Sequence, residues 1–224
     1  ITNNWSGYYF YATQFYYYSS WGINRNRIVK NTTASNQGYF YGLYWYYLYN
    51  VDVTSNIIAD NYGYYGNYNV YSYNYNTGYT CNVRQNTLVS SYSSYSYHFT
   101  YGWLVQETQS QLYFDGNITQ IASNYYAYVA YLYNSNSSNI KSCDYNSFYF
   151  PMMVNQYWCY GTSGYSDYSS WNNNTGAKYN NYTNPSFRDA ANGDYRSNCF
   201  ETQNNVPTVA LVPMVQSRKI GRAH

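Results

Sequence analysis

The stretch YSYHFTYGWLVQETQSQLYFDGN, Tyr95 to Asn117, sets the reading of the chain. Tyr95, Tyr97, Phe99, Tyr101, Trp103 and Val105 recur at every second residue, and a period of two places them on one face of a β-strand. Ser96, His98, Thr100, Gly102, Leu104 and Gln106 fall on the other face, which is half polar and suits solvent, a ligand or a partner subunit. The polar run 107–110 lets the chain reverse, 112–114 restart it, and Asp115-Gly116 is a turn dipeptide. The stretch therefore predicts a β-hairpin.

Other segments extend the pattern. Tyr39 to Tyr49 is apolar on both alternating faces, with Tyr39, Tyr41, Leu43, Trp45, Tyr47 and Tyr49 on one, and predicts a strand covered on both sides. Strands are also expected over 8–18, 51–58, 70–75, 125–133 and 148–160, the last at an edge or bulge because it contains Pro151. Residues 161–185 have little period and read as a long surface loop or an assembly contact. The expectation is one all-β domain over residues 1–200, an antiparallel β-sandwich of jelly-roll or immunoglobulin-like type. After Phe200 the aromatic residues stop. Residues 201–217, with their Val/Pro run 206–215, predict an extended terminal strand, a linker or a strand donated to a neighbour. Residues 218–224 end in a run similar to a translated sequencing adapter and read either as a non-native tail or as a genuine basic tail.

Composition narrows the setting. Thirty-nine of 224 residues are Tyr, aromatic residues make up 24% and charged residues only 9%. Tyr buries a large ring while keeping a hydroxyl that needs a partner, which suits strands and interfaces. Arg218, Lys219 and Arg222 hold three of the eleven basic residues, so residues 1–217 carry eight against nine acidic, a net of −1. Binding of nucleic acid through phosphate contacts thereby loses its basis. Cys81, Cys143, Cys159 and Cys199 form no CxxC pair, which favours an oxidising extracellular setting and two disulfides, with Cys143–Cys159 the first choice and Cys81–Cys199 remaining. No transmembrane span is expected, the run 206–215 being short and holding Pro207 and Pro213.

Candidate sites are few. Sequons stand at Asn4, Asn31, Asn117, Asn136, Asn173 and Asn181, where covalent N-glycans would attach in an exported chain. His98 is the only histidine before the last residue and reads as a surface or interface group on a polar strand face. Glu107 and Glu201 are the only glutamates. No catalytic set, metal site or cofactor is implied.

Asn4-Trp5-Ser6-Gly7-Tyr8 resembles the N-terminal motif of glutamic peptidases, β-sandwich enzymes that use a Gln and a Glu. The nearest match to their catalytic strand is 102–107, where Gly102 replaces the Glu, so the resemblance implies a fold and counts against activity. Leu112 to Asn117 is similar to the L-Y-x-D-G hairpin of laminin-G and concanavalin-like domains, which implies the same sandwich. The composition resembles that of exported filament and surface-layer subunits of thermoacidophilic archaea. The expected function is that of a structural, secreted subunit of an extracellular filament or cell-surface assembly, partnered by copies of itself. The assembly contacts would be Tyr39, Tyr41, Trp45 and Tyr47, with Val206, Val209, Leu211 and Val215 available for strand donation. A secreted carbohydrate-binding, lectin-like domain is the alternative, and a hydrolase the third reading.

Overall fold

A computed structural model describes residues 1–17, 19–33, 37–90, 98–123, 125–152, 155–182 and 184–197. The chain winds as a parallel β-solenoid of about 5 turns, each turn contributing one strand to each of three sheets. The first sheet stacks Tyr9–Tyr16, Tyr39–Tyr46, Gly66–Asn74, Phe99–Glu107, Tyr126–Tyr133 and Asn155–Gly161 in parallel, with Ser163–Tyr165 antiparallel at the end. The second stacks Ser19–Asn24, Tyr49–Thr54, Thr80–Arg84, Gln111–Asp115 and Ile140–Ser142; the third stacks Arg27–Val29, Ile57–Ala59, Thr87–Ser90, Ile118–Ala122 and Ser147–Met152.

This overturns the antiparallel sandwich and the hairpin. Phe99–Glu107 pairs with the strands one turn before and after it, and Asp115-Gly116 is a corner between the second and third sheets. Alternation identifies a strand but carries no information on its partner's direction; that is set by recurrence at a period of one turn. The recurrence lies in asparagines. Asn26, Asn56, Asn86, Asn117 and Asn146 follow one another at spacings of 30, 30, 31 and 29 residues, and in each case the earlier backbone N–H donates to the next side-chain oxygen at 2.9–3.1 Å. Each preceding residue (Arg25, Ser55, Gln85, Gly116, Tyr145) has a positive φ, between 57° and 65°, which turns the chain sharply inward. Such left-handed residues cost about 1 kcal/mol each when they carry a side chain, a cost the repeated carboxamide bonds offset.

The interior is filled by aliphatic and aromatic side chains from successive turns, among them Ile28, Ile58 and Leu88 in one row and Phe40, Leu43, Trp45, Val70 and Trp103 from the first sheet. Fully burying one such side chain contributes roughly 1.5–3 kcal/mol. Within the first sheet the inside-outside parity inverts midway. In Phe99–Glu107, Phe99 and Tyr101 point out while Trp103 and Val105 point in. The inversion occurs at the aligned positions Ala12, Gly42, Asn69, Gly102 and Val129, which drop out of the ladder at the same place in these five strands while the register on either side is kept. Gly is required at Gly42, where a Cβ would stand 2.3 Å from the Asn69 carbonyl oxygen.

The C-terminal end is closed by the helix Tyr168–Thr175, begun by Asp167 accepting from Ser170 N–H at 2.7 Å. Its Trp171 is fully buried against Trp158 and Phe148, so the expected loop over 161–185 is in part an ordered cap. The chain then returns along the outside of the third sheet, where Phe187, Ala190 and Tyr195 cover Val29, Ala59 and Val89. Among the described residues no helix is long and apolar enough to cross a membrane.

Candidate functional site

The three outer faces differ. The third sheet is covered by its own chain. The second presents polar groups such as Asp52, hydrogen-bonded to Asn82 at 2.6 Å, and Arg84, which pairs with Asp115 at 3.2 Å and lies over the Tyr113 ring. The first presents tyrosine.

Tyr11, Tyr41, Tyr68, Tyr101, Tyr128 and Tyr157 occupy one outward row, one per turn. Their rings stack at centroid separations of 4.4, 4.7, 4.6, 4.4 and 5.1 Å, with interplanar angles of 4–24°. Parallel pairing in register produces this, because successive turns stand about 4.8 Å apart and a ring that follows its rung meets the next at stacking distance. A second row adds Tyr44 and Tyr71, stacked at 5.0 Å, and a third adds Tyr46 and Tyr73, stacked at 5.1 Å. A fourth carries Tyr9, Tyr39, Gly66, Phe99, Tyr126 and Asn155. No Asp, Glu, Lys or Arg occurs in these rows. A shallow depression of about 330 Å³ opens between Phe99, Tyr101, Tyr126, Tyr128 and Tyr157.

The rings cover one another's faces and offer their edges and hydroxyls to the outside. The middle of the long row is half-buried, while Tyr11 and Tyr157 at its ends are 42% and 38% exposed. Burial pushes the Tyr68 phenol up to about 12 and raises Tyr41 and Tyr101 further, with neighbouring phenols adding to the effect. The face is neutral across the physiological range, and each hydroxyl both donates and accepts.

Of the expected assembly contacts, Tyr39, Tyr41 and Tyr47 lie half-buried toward the outside, and the first two belong to this face. Trp45 does not; it points inward, is fully buried, and its indole N–H donates to Glu107 at 3.2 Å. The parity inversion between Gly42 and Leu43 is the reason. Val206, Val209, Leu211 and Val215 lie outside the described residues, as do all of 201–217 and 218–224. Cys81, Cys143 and Cys159 are buried free thiols, so the Cys143–Cys159 disulfide is not formed; Cys199 lies outside the described residues. Burial pushes the Cys81 and Cys143 thiols well up, with carboxylates nearby adding to it.

Two of the six sequons sit where a glycan has no room. Asn117 is a rung of the corner ladder, its amide donating to Val83 O and Asn146 Oδ1, and Asn31 is a rung of a shorter ladder to Asn61; both are fully buried. Asn4, Asn136 and Asn173 are exposed and Asn181 is half-buried. His98 is not a surface group: it is fully buried, 3.3 Å from Tyr64 O, and burial lowers it to about 4. Glu107 points into the solenoid, fully buried, and Glu201 lies outside the described residues. What the sequence reading missed is the row itself, whose signal is a Tyr recurring at 11, 41, 68, 101, 128 and 157.

No protein-family model matches this sequence, and no curated protein or solved structure compared with it matches either.

Proposed function

We propose that this chain is a structural subunit that assembles with copies of itself through the outward tyrosine face of its first sheet, as part of an extracellular filament or cell-surface assembly. The observation that carries the reading is the uninterrupted stack of six tyrosines with no charged residue in the rows around it. A second copy is the occupant that fits. The face holds donors and acceptors in equal supply on every hydroxyl, so it is complementary to itself, and no ionic group must be desolvated when two copies meet. Six strands about 4.8 Å apart and about seven residues long give a flat area of roughly 550 Å² before side-chain relief, close to the ~800 Å² per partner of a standard interface. Among the described residues the three cysteines are free thiols, so the Cys143–Cys159 pairing lends no support to an exported setting, and that part of the reading rests on the scarcity of charge.

A carbohydrate platform fits less well. Sugar rings stack on exposed aromatic faces, and here both faces of the four inner rings of the long row are taken by the neighbouring tyrosines. Sedimentation velocity tests the proposal: wild-type protein is expected to associate, and the pair Tyr44→Lys and Tyr101→Lys, each placing a charge on the face, is expected to sediment as a folded monomer. Association of both variants at wild-type strength would overturn it.

A further inference from the structure

We propose that the tyrosine face is a site of oxidative cross-linking, at which a haem peroxidase with hydrogen peroxide joins face tyrosines of adjacent copies as dityrosine; this rests on the assembly reading above. Three features of the face point to it. The long row is a relay: a phenoxyl radical formed at any ring is within 4.4–5.1 Å of the next ring centroid along the whole stack. The relay ends at its two most accessible members, Tyr11 and Tyr157, with Tyr9 and Tyr16 beside the first at 48% and 38% exposure. The outward rows also hold no Met or Trp to divert the radical, and the one Cys in register with them, Cys159 opposite Tyr131, is a buried thiol.

The chemistry balances. Hydrogen peroxide removes one electron and one proton from the hydroxyl of each of two tyrosines and is reduced to two molecules of water. The two phenoxyl radicals couple through their ortho carbons, forming one C–C bond, and each ortho hydrogen moves to its own oxygen and restores the phenol. Rings within a row are held parallel, one above another, and cannot lie edge to edge as the coupled product requires. Coupling within a row is thereby disfavoured, and the bonds that join copies form across the interface, between rings of different copies.

The test treats assembled protein with horseradish-type peroxidase and hydrogen peroxide and maps the products by peptide mass spectrometry. Dityrosine is expected in covalent dimers and higher species, joining peptides that contain Tyr9, Tyr11, Tyr16 or Tyr157. The double variant Tyr11→Phe with Tyr157→Phe keeps the stacked rings, and its yield of covalent dimer, normalised to the fraction that sediments as assembled protein, is expected to fall at least threefold. Tyr179→Phe with Tyr182→Phe, which removes two exposed tyrosines outside the face, is expected to leave the yield unchanged. Assembly without dityrosine would overturn the cross-linking inference and leave the assembly reading standing. Protein that stays monomeric, with links mapping to Tyr179 and Tyr182, would overturn both.

Discussion

Asn86 shows how one side chain fixes the corner of a turn. Its oxygen accepts from the Asn56 backbone N–H at 3.0 Å and the Asn56 amide at 2.9 Å, while its own amide donates to Val53 O and Asn117 Oδ1. Replacing it with Ala strands buried groups on two neighbouring turns, each costing about 1–3 kcal/mol, so Asn86→Ala is expected to lose roughly 3 kcal/mol in chemical denaturation. Asn86→Asp directs an oxygen at two acceptors and should destabilise more at neutral pH, with partial recovery in acid. Glu107 is the other decisive residue. Burial pushes it up to about 7, against an ordinary value of 4.5, opposed by the bond from the Trp45 indole and other polar neighbours. Because the folded value lies above the unfolded one, the protonated form favours the fold: its contribution is complete below pH 4.5 and is lost as pH rises to about 7, a fall of roughly 3 kcal/mol. Urea denaturation across that window should show the decline in wild type and a flatter profile in Glu107→Gln.

At the scale of the element, the strands of the first sheet explain both what the sequence disclosed and what it concealed. Alternation in Phe99–Glu107 correctly marked a strand, yet it placed Tyr101 and Trp103 on one face, and the break at Gly102 sends them to opposite sides. A strict period of two cannot report this break, because large apolar residues occupy the odd positions on both sides of Gly102, so the sequence pattern runs on unbroken while the face it occupies changes. Stacking gives a further expectation. Tyr68 has a ring neighbour on each side and Tyr11 has one in its row, each pair being worth about 0.5–1.5 kcal/mol, so Tyr68→Leu should cost about twice as much stability as Tyr11→Leu. The closing helix depends on Trp171, whose ring lies 4.8 Å from Trp158 and whose indole N–H donates to Cys159 O. Trp171→Ala is expected to lower stability by roughly 3–5 kcal/mol and to uncover the last turn, which thermal melting would detect.

For the whole molecule, the all-β class and the wealth of strands were legible, and the architecture was not. The asparagines at 26, 56, 86, 117 and 146 and the tyrosines at 11, 41, 68, 101, 128 and 157 carry the turn length, but both residue types are so abundant that their recurrence is hidden among irregular copies. The same abundance made Asn117 look like a surface turn when it is an interior rung. Winding in parallel turns sorts the side chains three ways: apolar inward, carboxamide at the corners, phenol outward on one uncovered sheet. That sorting leaves an uncharged plane of tyrosines on the outside of the first sheet. Cryo-electron microscopy of the associated protein tests this most directly. The account predicts copies joined first sheet to first sheet, about 10 Å apart, with the tyrosine rows enclosed between them; particles that remain single, or that join through other surfaces and leave those rows in solvent, would contradict it.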